Sequence, residues 1–368
     1  MDNKAWAEQM WDKCVRKATK TAERIKGEIP YTTKDGLYQI KPEIDWWTNS
    51  FWSGILWMMY EETKDSRFKE WAEQVEETLN KNFDDMEKLH HDVGFMWLLS
   101  SVRNYELTGN KKSRSYGLLA AHVLAGRYNI KGGFIRAWNK WSEDDPDDKT
   151  GWAIIDCMMN IPLLYWATEM TGDDRFKAIA MSHADKVIEN FIRPDGSVNH
   201  IVEFNPVNGE FVQSFAGQGY AVGSSWSRGQ SWAVNGFAQS YFKTGEKRYL
   251  DAAKRVANYF IAACAEDAVP RCDFRQPTDV VAYDSSAAAI AACGLIDIAK
   301  ATQGAESEMY MNAAIRFLKA LDERCCPWDD EKDEAILNYG MERFNSGHQA
   351  LIYGDYYFME AIQKIKNM

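Results

Sequence analysis

The chain alternates two kinds of helical segment, and this alternation constrains its fold more than any other feature. One kind is apolar on nearly every side, as a helix enclosed by other helices must be, and the other has one apolar and one charged face. The apolar segments begin near residues 47, 92, 156, 229, 284 and 354, and the amphipathic ones near residues 3, 65, 110, 173, 246 and 305. Equal numbers of enclosed and half-exposed helices predict an all-α (α/α)6 barrel, in which an outer ring of helices surrounds an inner ring.

The sequence contains no linker that would separate domains. Its 368 residues are enough for two or three domains, but barrels of this length form a single one. We therefore expect one barrel domain over residues 1–368. Strand patterns are few: segments 197–205 and 209–217 flank a Pro-Val-Asn-Gly turn and predict one short β-hairpin near 197–217.

Charge and cysteine usage exclude several classes of partner. The formal net charge is −11 without a basic block, which argues against nucleic acid or an anionic membrane surface as a partner. No stretch reaches the roughly 18 apolar residues of a membrane span, and the N-terminal segment lacks the apolar core of a signal peptide. The seven cysteines show no CxxC spacing. We therefore expect no metal site, no cofactor and a cytoplasmic location, while the oligomeric state is left open.

Polar and aromatic residues stand where the apolar segments begin, and in a barrel these starts converge on one mouth. They are Trp47, His90, His91, Asp92, Asp156, Arg228, Gln230, Trp232, Asp284 and Asp355. Each aspartate taken alone fits a helix N-cap, but capping does not explain the rings and the guanidinium at the same level. Flat aromatic faces beside hydrogen-bonding groups suit a sugar, and Trp138, in a loop, is predicted to form a wall of such a site.

Asp156 is the most unusual of these residues. It interrupts the apolar stretch GWAIIDCMMNIPLLYW. A buried carboxylate without a partner is costly and tends to hold a proton at neutral pH, which is what a general acid needs. A helix cap accounts for the residue equally well, so both interpretations stand at this point.

Six motifs, in this order, resemble a known family. They are DWWTNSFWSGILW (45–57), HHDVGFMWLLS (90–100), IIDCMMNIPLL (154–164), SSWSRGQSWAVNGFA (224–238), YDSSAAAIAACGL (283–295) and YGDYYFMEA (353–361). The chain resembles the unsaturated glucuronyl hydrolases of glycoside hydrolase family 88 over nearly its whole length. The resemblance implies the same (α/α)6 barrel that the helix pattern predicts.

The resemblance also implies roles for particular residues. Asp156 matches the catalytic acid and base of the family, and Asp92 its second essential carboxylate. The positions that match substrate contacts are Trp47, His91, Trp138, His200, Gln218, Arg228 and Trp232. The family often has a histidine just before the equivalent of Gln218, where this chain has Gly217. Arg228 suits the uronate carboxylate, and a salt bridge to an inner-ring aspartate is its alternative.

The implied reaction releases a 4,5-unsaturated uronic acid from the non-reducing end of oligosaccharides produced by polysaccharide lyases. Its first step protonates C4 of an enol ether, and water then adds at C5. Four alternatives remain: an ordinary exo-glycosidase, an unsaturated rhamnogalacturonyl hydrolase, a sugar 2-epimerase and a glycan-binding module without activity. Arg343, Ser346 and His348, ahead of the last inner helix, are predicted to lie on the side of the leaving sugar.

Overall fold

The computed structural model describes residues 2–140 and 142–368, and it shows two concentric rings of helices. The outer ring consists of α1 (Asn3–Ile25), α3 (Ser66–Asn80), α6 (Lys111–Gly126), α8 (Asp174–Asn190), α10 (Lys247–Ala263) and α12 (Gly304–Arg324). The inner ring consists of α2 (Phe51–Thr63), α4 (Val93–Trp97) with α5 (Arg103–Thr108), α7 (Pro162–Thr171), α9 (Ser227–Thr244), α11 (Ser285–Ala301) and α13 (Ile352–Lys366). A π-helical turn, Leu98–Val102, joins α4 to α5. The predicted (α/α)6 barrel is confirmed.

The inner helices contact one another in a closed cycle. Helix α2 meets the α4–α5 segment, which meets α7, and the cycle continues through α9, α11 and α13 back to α2. Close packing within the cycle depends on small residues. A Cβ added at Gly294 of α11 would lie 2.7 Å from the Cα of Asn235 on α9, so only glycine allows these two helices to approach so closely.

The predicted hairpin is confirmed and belongs to a three-stranded sheet. Strand β6 (Ile201–Phe204) pairs antiparallel with β7 (Phe211–Phe215), and β5 (Trp152–Ile154) pairs with the other edge of β6. Two further strand pairs were not predicted: β1 (Pro30–Lys34) with β2 (Leu37–Ile40), and β3 (Tyr128–Asn129) with β4 (Phe134–Ile135).

The third inner helix begins later than the sequence predicted. Asp156 is neither in an α-helix nor at the start of one. It lies on a 3-10 turn, Ile155–Met159, directly after β5, and α7 begins only at Pro162. The reason is that Ile154 is extended to pair with Ile201 of β6, while Pro162 provides the fixed φ that suits the first helical position. The helix-cap interpretation of Asp156 is therefore wrong.

One hydrophobic core runs through the barrel from Trp6 of α1 to Ile365 of α13. All seven cysteines are free thiols, and only Cys326 is not fully buried. Among the residues that the structure describes, no helix combines the length and the apolar character required to cross a membrane.

Candidate active site

A cavity of about 790 Å³, its open mouth included, lies where the connections ahead of the inner helices meet. Its lining consists of Trp46, Trp47, His90, His91, Asp92, Trp138, Asp156, Gln218, Trp226, Arg228, Glu342 and Arg343. All nine residues predicted for the site lie on this wall except His200 and Trp232, which lie directly behind it. Residues from six separate parts of the chain thus meet at the mouth of the barrel.

Asp156 is the cavity residue with the properties of a proton donor. Its side chain is 15% exposed, and its Oδ1 makes no hydrogen bond within the described structure. Burial, and after it the negative charge of Asp92, raises the pKa of Asp156 to about 7. Near neutral pH a large fraction of Asp156 is therefore protonated while still reaching the cavity, which meets the requirement for a general acid.

Asp92 has the opposite character. Its Oδ1 accepts a hydrogen bond from Asn160 Nδ2 at 3.0 Å, and its Oδ2 lies 3.3 Å from His90 Nδ1 and 3.4 Å from His91 Nε2. Burial alone would raise the pKa of Asp92, but His91, His90 and Asn160 together lower it to about 2. Burial lowers the pKa of His91 to about 4. Near neutral pH the site therefore holds an ionised Asp92 beside a neutral His91 and an Asp156 that is about half protonated.

Asp355 shows that a raised pKa alone does not mark a functional group. Burial raises the pKa of Asp355 to about 7 as well, yet its carboxylate accepts hydrogen bonds from Tyr38 Oη and from the backbone N–H groups of Ile336 and Leu337. It lies inside α13, does not line the cavity and fixes β2 and the 336–337 loop to that helix. Its role is structural.

His200 stands behind Asp156 with a defined tautomer. His200 Nδ1 lies 3.0 Å from the backbone N–H of Gln218 and 3.3 Å from the backbone oxygen of Ala216; the shorter contact, with a group that can only donate, favours the ring proton on Nε2, which lies 3.7 Å from Asp156 Oδ1. Burial lowers the pKa of His200 to about 3, so the ring is neutral. A neutral N–H facing the carboxyl group stabilises the carboxylate once Asp156 has released its proton.

A geometric reason explains why this chain has Gly217 where the family often has a histidine. Gly217 has a φ of +58°, and a Cβ at this position would lie 2.1 Å from His200 Nδ1. The loop therefore passes so close to His200 that only glycine fits. Gln218 follows it and binds the opposite wall, because its Nε2 donates to the backbone oxygen of Glu342 at 2.7 Å.

Arg228 forms the ion pair that the sequence left open as its alternative role. Its Nη1 lies 2.5 Å from Asp284 Oδ2 and donates to the backbone oxygen of Met341, and its Nη2 donates to the backbone oxygen of Glu342. The residue is fully buried, although it reaches the cavity wall, and its Nε has no partner within the described residues. Asp284 also accepts from the backbone N–H of Ser286, so it caps α11 as predicted for an aspartate at a helix start.

Of the three tryptophans predicted for the site, two line the cavity and one lies behind its wall. Trp47 and Trp138 line the cavity, as predicted. Trp232 is completely buried and lies behind the wall, with its ring 6.5 Å from that of Trp47. The geometry thus gives Trp232 a place beneath Trp47 and next to Asp156, whose pKa it lowers slightly, rather than on the exposed surface of the cavity.

Sequence reasoning missed three lining residues, Trp46, Trp226 and Glu342, while it placed His90 at the mouth without giving it a role. Trp46 directly precedes the predicted Trp47, and this adjacent aromatic residue was the available signal. The Trp226 ring lies 4.2 Å from that of His200, tilted by 41°, and 4.5 Å from the Arg228 guanidinium, a contact that its place two residues before Arg228 could have suggested. Glu342 carried no signal, because it reaches the wall only through the contacts of its loop with Arg228 and Gln218.

Of the three residues predicted on the leaving-sugar side, only Arg343 lines the cavity. Its backbone N–H donates to Ser346 Oγ, and His348 Nε2 accepts from the backbone N–H of Tyr283. Ser346 and His348 therefore shape the loop, whereas the exposed Arg343 side chain is available to a bound molecule.

His90, His91 and Asp92 also bring three potential metal ligands within 4.8 Å of one another. Both imidazoles face the Asp92 carboxylate, an arrangement that serves equally to keep this carboxylate in place. The prediction that the site needs no metal remains a prediction.

Comparison with known proteins identifies the class and then the family. The sequence profile of Glycosyl Hydrolase Family 88 matches residues 21–367. Together with the double ring of helices and the carboxylates at its mouth, this match defines a glycoside hydrolase built on an α/α barrel. The chain belongs to glycoside hydrolase family 88.

Individual relatives agree with this family over almost the full chain. An unsaturated glucuronyl hydrolase of Bacillus sp. (strain GL1) is 36% identical over 97% of each chain. An unsaturated chondroitin disaccharide hydrolase of Streptococcus pneumoniae is 35% identical over 96% of this chain and 90% of the relative. The crystal structure of the Bacillus sp. GL1 enzyme, described as responsible for the degradation of glycosaminoglycan, superposes with a TM-score of 0.92 at 33% identity, over 98% of this chain and 97% of the other.

Proposed function

We propose that this glycoside hydrolase removes the 4,5-unsaturated uronic acid from the non-reducing end of glycosaminoglycan oligosaccharides produced by lyases. The observation that carries the proposal is the contrast between two carboxyl groups of the cavity: Asp156 still carries a proton in a large fraction of molecules near neutral pH, whereas Asp92 is ionised. An enol ether reacts by accepting a proton on carbon, so its hydrolysis near neutral pH needs a general acid that is still protonated. The relatives named for unsaturated glucuronyl and chondroitin disaccharide substrates support the same substrate class.

In the proposed reaction Asp156 donates its proton to C4 of the unsaturated ring. Positive charge then develops at C5, which the ionised Asp92 stabilises. Water attacks C5 while the Asp156 carboxylate, now facing the N–H of His200, takes a proton from it. The hemiketal that results opens and releases the remaining sugar. Trp47 and Trp138 offer faces for the sugar rings.

Two arginines of unequal availability serve anionic groups of the substrate. Arg228 contributes positive charge at the wall, but Asp284 already compensates much of it. Arg343 is exposed at the mouth and forms no side-chain ion pair among the described residues, so it is the freer cation. We expect Arg343 to contact the leaving sugar and any sulfate that this sugar carries.

The test compares unsaturated and saturated glucuronides of one aglycone. The proposal expects turnover of the unsaturated compound, and turnover of the saturated compound alone would instead support an ordinary exo-glycosidase. Asp156→Asn should reduce kcat by roughly 10²- to 10⁴-fold, the usual contribution of a general acid. Asp355→Asn is the matched control, a buried aspartate of similar pKa outside the cavity, and should leave kcat of the folded enzyme unchanged. Activity that survives a chelator would support a reaction without metal.

The proposed compartment is the cytoplasm. Six fully buried free thiols behave as small apolar residues and stay reduced most readily in a reducing environment. Fractionation of cells that produce the protein tests this location, and recovery from the culture medium would contradict it.

A further inference from the structure

We propose that Asn160 is a positioning residue that holds the Asp92 carboxylate at a fixed position relative to the turn that carries Asp156. The inference rests on the proposed function, since Asn160 would position the two carboxyl groups of the proposed reaction. Asn160 itself does not line the cavity. Asn160 is completely buried. Its Nδ2 donates to Asp92 Oδ1 at 3.0 Å and to the backbone oxygen of Asp156 at 3.2 Å, so one amide group joins both candidate catalytic residues.

The orientation of the amide is determined by its third bond. The backbone N–H of Phe95 lies 2.7 Å from Asn160 Oδ1, and a backbone N–H can only donate. The oxygen of the amide must therefore face Phe95, and the nitrogen must face Asp92. All three bonds are satisfied only by a side chain with one acceptor and two donors at this distance. Aspartate lacks the donors, and glutamine is one methylene longer.

The backbone around Asn160 is built for this contact. Gly94, in the first turn of α4, lies so close that an added Cβ would be 2.3 Å from Asn160 Cα. Asn160 ends the 3-10 turn 155–159 with a backbone bond to the oxygen of Cys157. The start of α4 and the turn before α7, which are 65 residues apart in sequence, are thus in direct contact through one side chain.

The same amide influences the proton on Asp156. A neutral donor on Oδ1 favours the charged form of Asp92, and the charge of Asp92 is the second-largest cause of the raised pKa of Asp156. Asn160 therefore supports both the position of the Asp92 carboxylate and the protonated form of Asp156.

The experiment measures kcat and KM of Asn160→Asp on an unsaturated disaccharide. This variant keeps an oxygen for the Phe95 N–H, so α4 retains its partner, but a carboxyl group carries at most one proton and cannot donate to both Asp92 and the backbone oxygen of Asp156. We expect kcat to fall about 100-fold, as for a catalytic group displaced by about 1 Å, while KM changes less than about threefold. A substitution that only destabilised the fold would reduce the amount of folded protein, but it would not lower kcat per folded molecule while KM stays nearly constant.

Asn104→Asp is the matched control. Asn104 is also completely buried and donates from its Nδ2 to a buried carboxylate, Glu76, at 2.7 Å, but it lies away from the cavity. It should lower thermal stability and leave kcat per folded molecule unchanged. If Asn160→Asp does not fold, Asn160→Ser decides, because a single hydroxyl replaces at most part of the three bonds and must also lower kcat.

A wild-type kcat in either folded Asn160 variant would overturn the inference. The same holds if kcat falls equally in the Asn104 variant. Failure of the proposed function would be recognised separately, because the wild-type protein itself would then not consume the unsaturated disaccharide.

Discussion

The pKa of Asp156 sets the pH above which its carboxyl group no longer carries a proton. Burial and the charge of Asp92 raise it to about 7. Because the protonated form is the active one, kcat/KM should decline about tenfold per pH unit above about 7. A pH–rate profile on an unsaturated disaccharide measures this limb. A profile that stays level up to pH 9 would contradict the assignment of Asp156 as the acid.

The ion pair between Arg228 and Asp284 should contribute strongly to stability. Both side chains are almost completely buried, so Asp284→Ala leaves an uncompensated charge on Arg228 and should lower the free energy of unfolding by about 3–5 kcal/mol. Urea unfolding measures the change. Asp251→Ala, which removes the exposed pair with Lys247, is the control and should cost less than about 0.5 kcal/mol. Equal effects of the two substitutions would contradict a structural role for Asp284.

The position of a site residue was predictable where a short motif contains it, whereas the contacts of a residue with a distant partner were not. The motifs placed Asp92, Asp156 and Trp47 correctly at the cavity. The engagement of Arg228 depends on Asp284, 56 residues later, and on two backbone oxygens of the 341–342 loop. Neither spacing nor composition indicates such contacts, so the ion pair of Arg228 with Asp284 became evident only from the structure.

At the scale of elements, the loop before Gln218 determines where His200 stands. Gly217→Ala should lower both stability and kcat, because a Cβ 2.1 Å from His200 Nδ1 pushes the ring away from Asp156. Gly223→Ala in the same loop is the matched control, since its φ of +76° imposes the same backbone strain but open space surrounds it. Steady-state kinetics of the two variants separate strain from displacement. A similar kcat in both would contradict the positioning of His200 by this loop.

Helix order was predictable from the sequence, but helix starts were less so. The alternation of apolar and amphipathic segments is local, and it indicated every ring helix. The start of α7 depends on β5 pairing with β6, across about fifty residues, which a local pattern does not contain. The β1–β2 hairpin did have a local signal, the Asp35-Gly36 turn with both φ values positive, and this signal was overlooked.

At the scale of the whole molecule, we propose that the chain unfolds as one domain. Helix α13 packs against both α1 and α2, so the last helix closes the ring on the first ones, and one hydrophobic core connects them. Unfolding of any pair of ring helices should therefore expose the shared hydrophobic core and destabilise the remaining helices. Urea unfolding followed by far-UV circular dichroism and by tryptophan fluorescence should give coincident midpoints. Two separated transitions would contradict a single domain.

Proton transfer to carbon is the central claim, and deuterium reports it most directly. The reaction of an unsaturated disaccharide in D₂O, followed by NMR from its first minutes, shows where solvent hydrogen enters. The account predicts one deuterium at C4, on a single face, appearing together with loss of the double bond, and no such signal with Asp156→Asn. Release of a uronic acid that still holds its C4=C5 double bond, or equal deuteration of both faces, would contradict it.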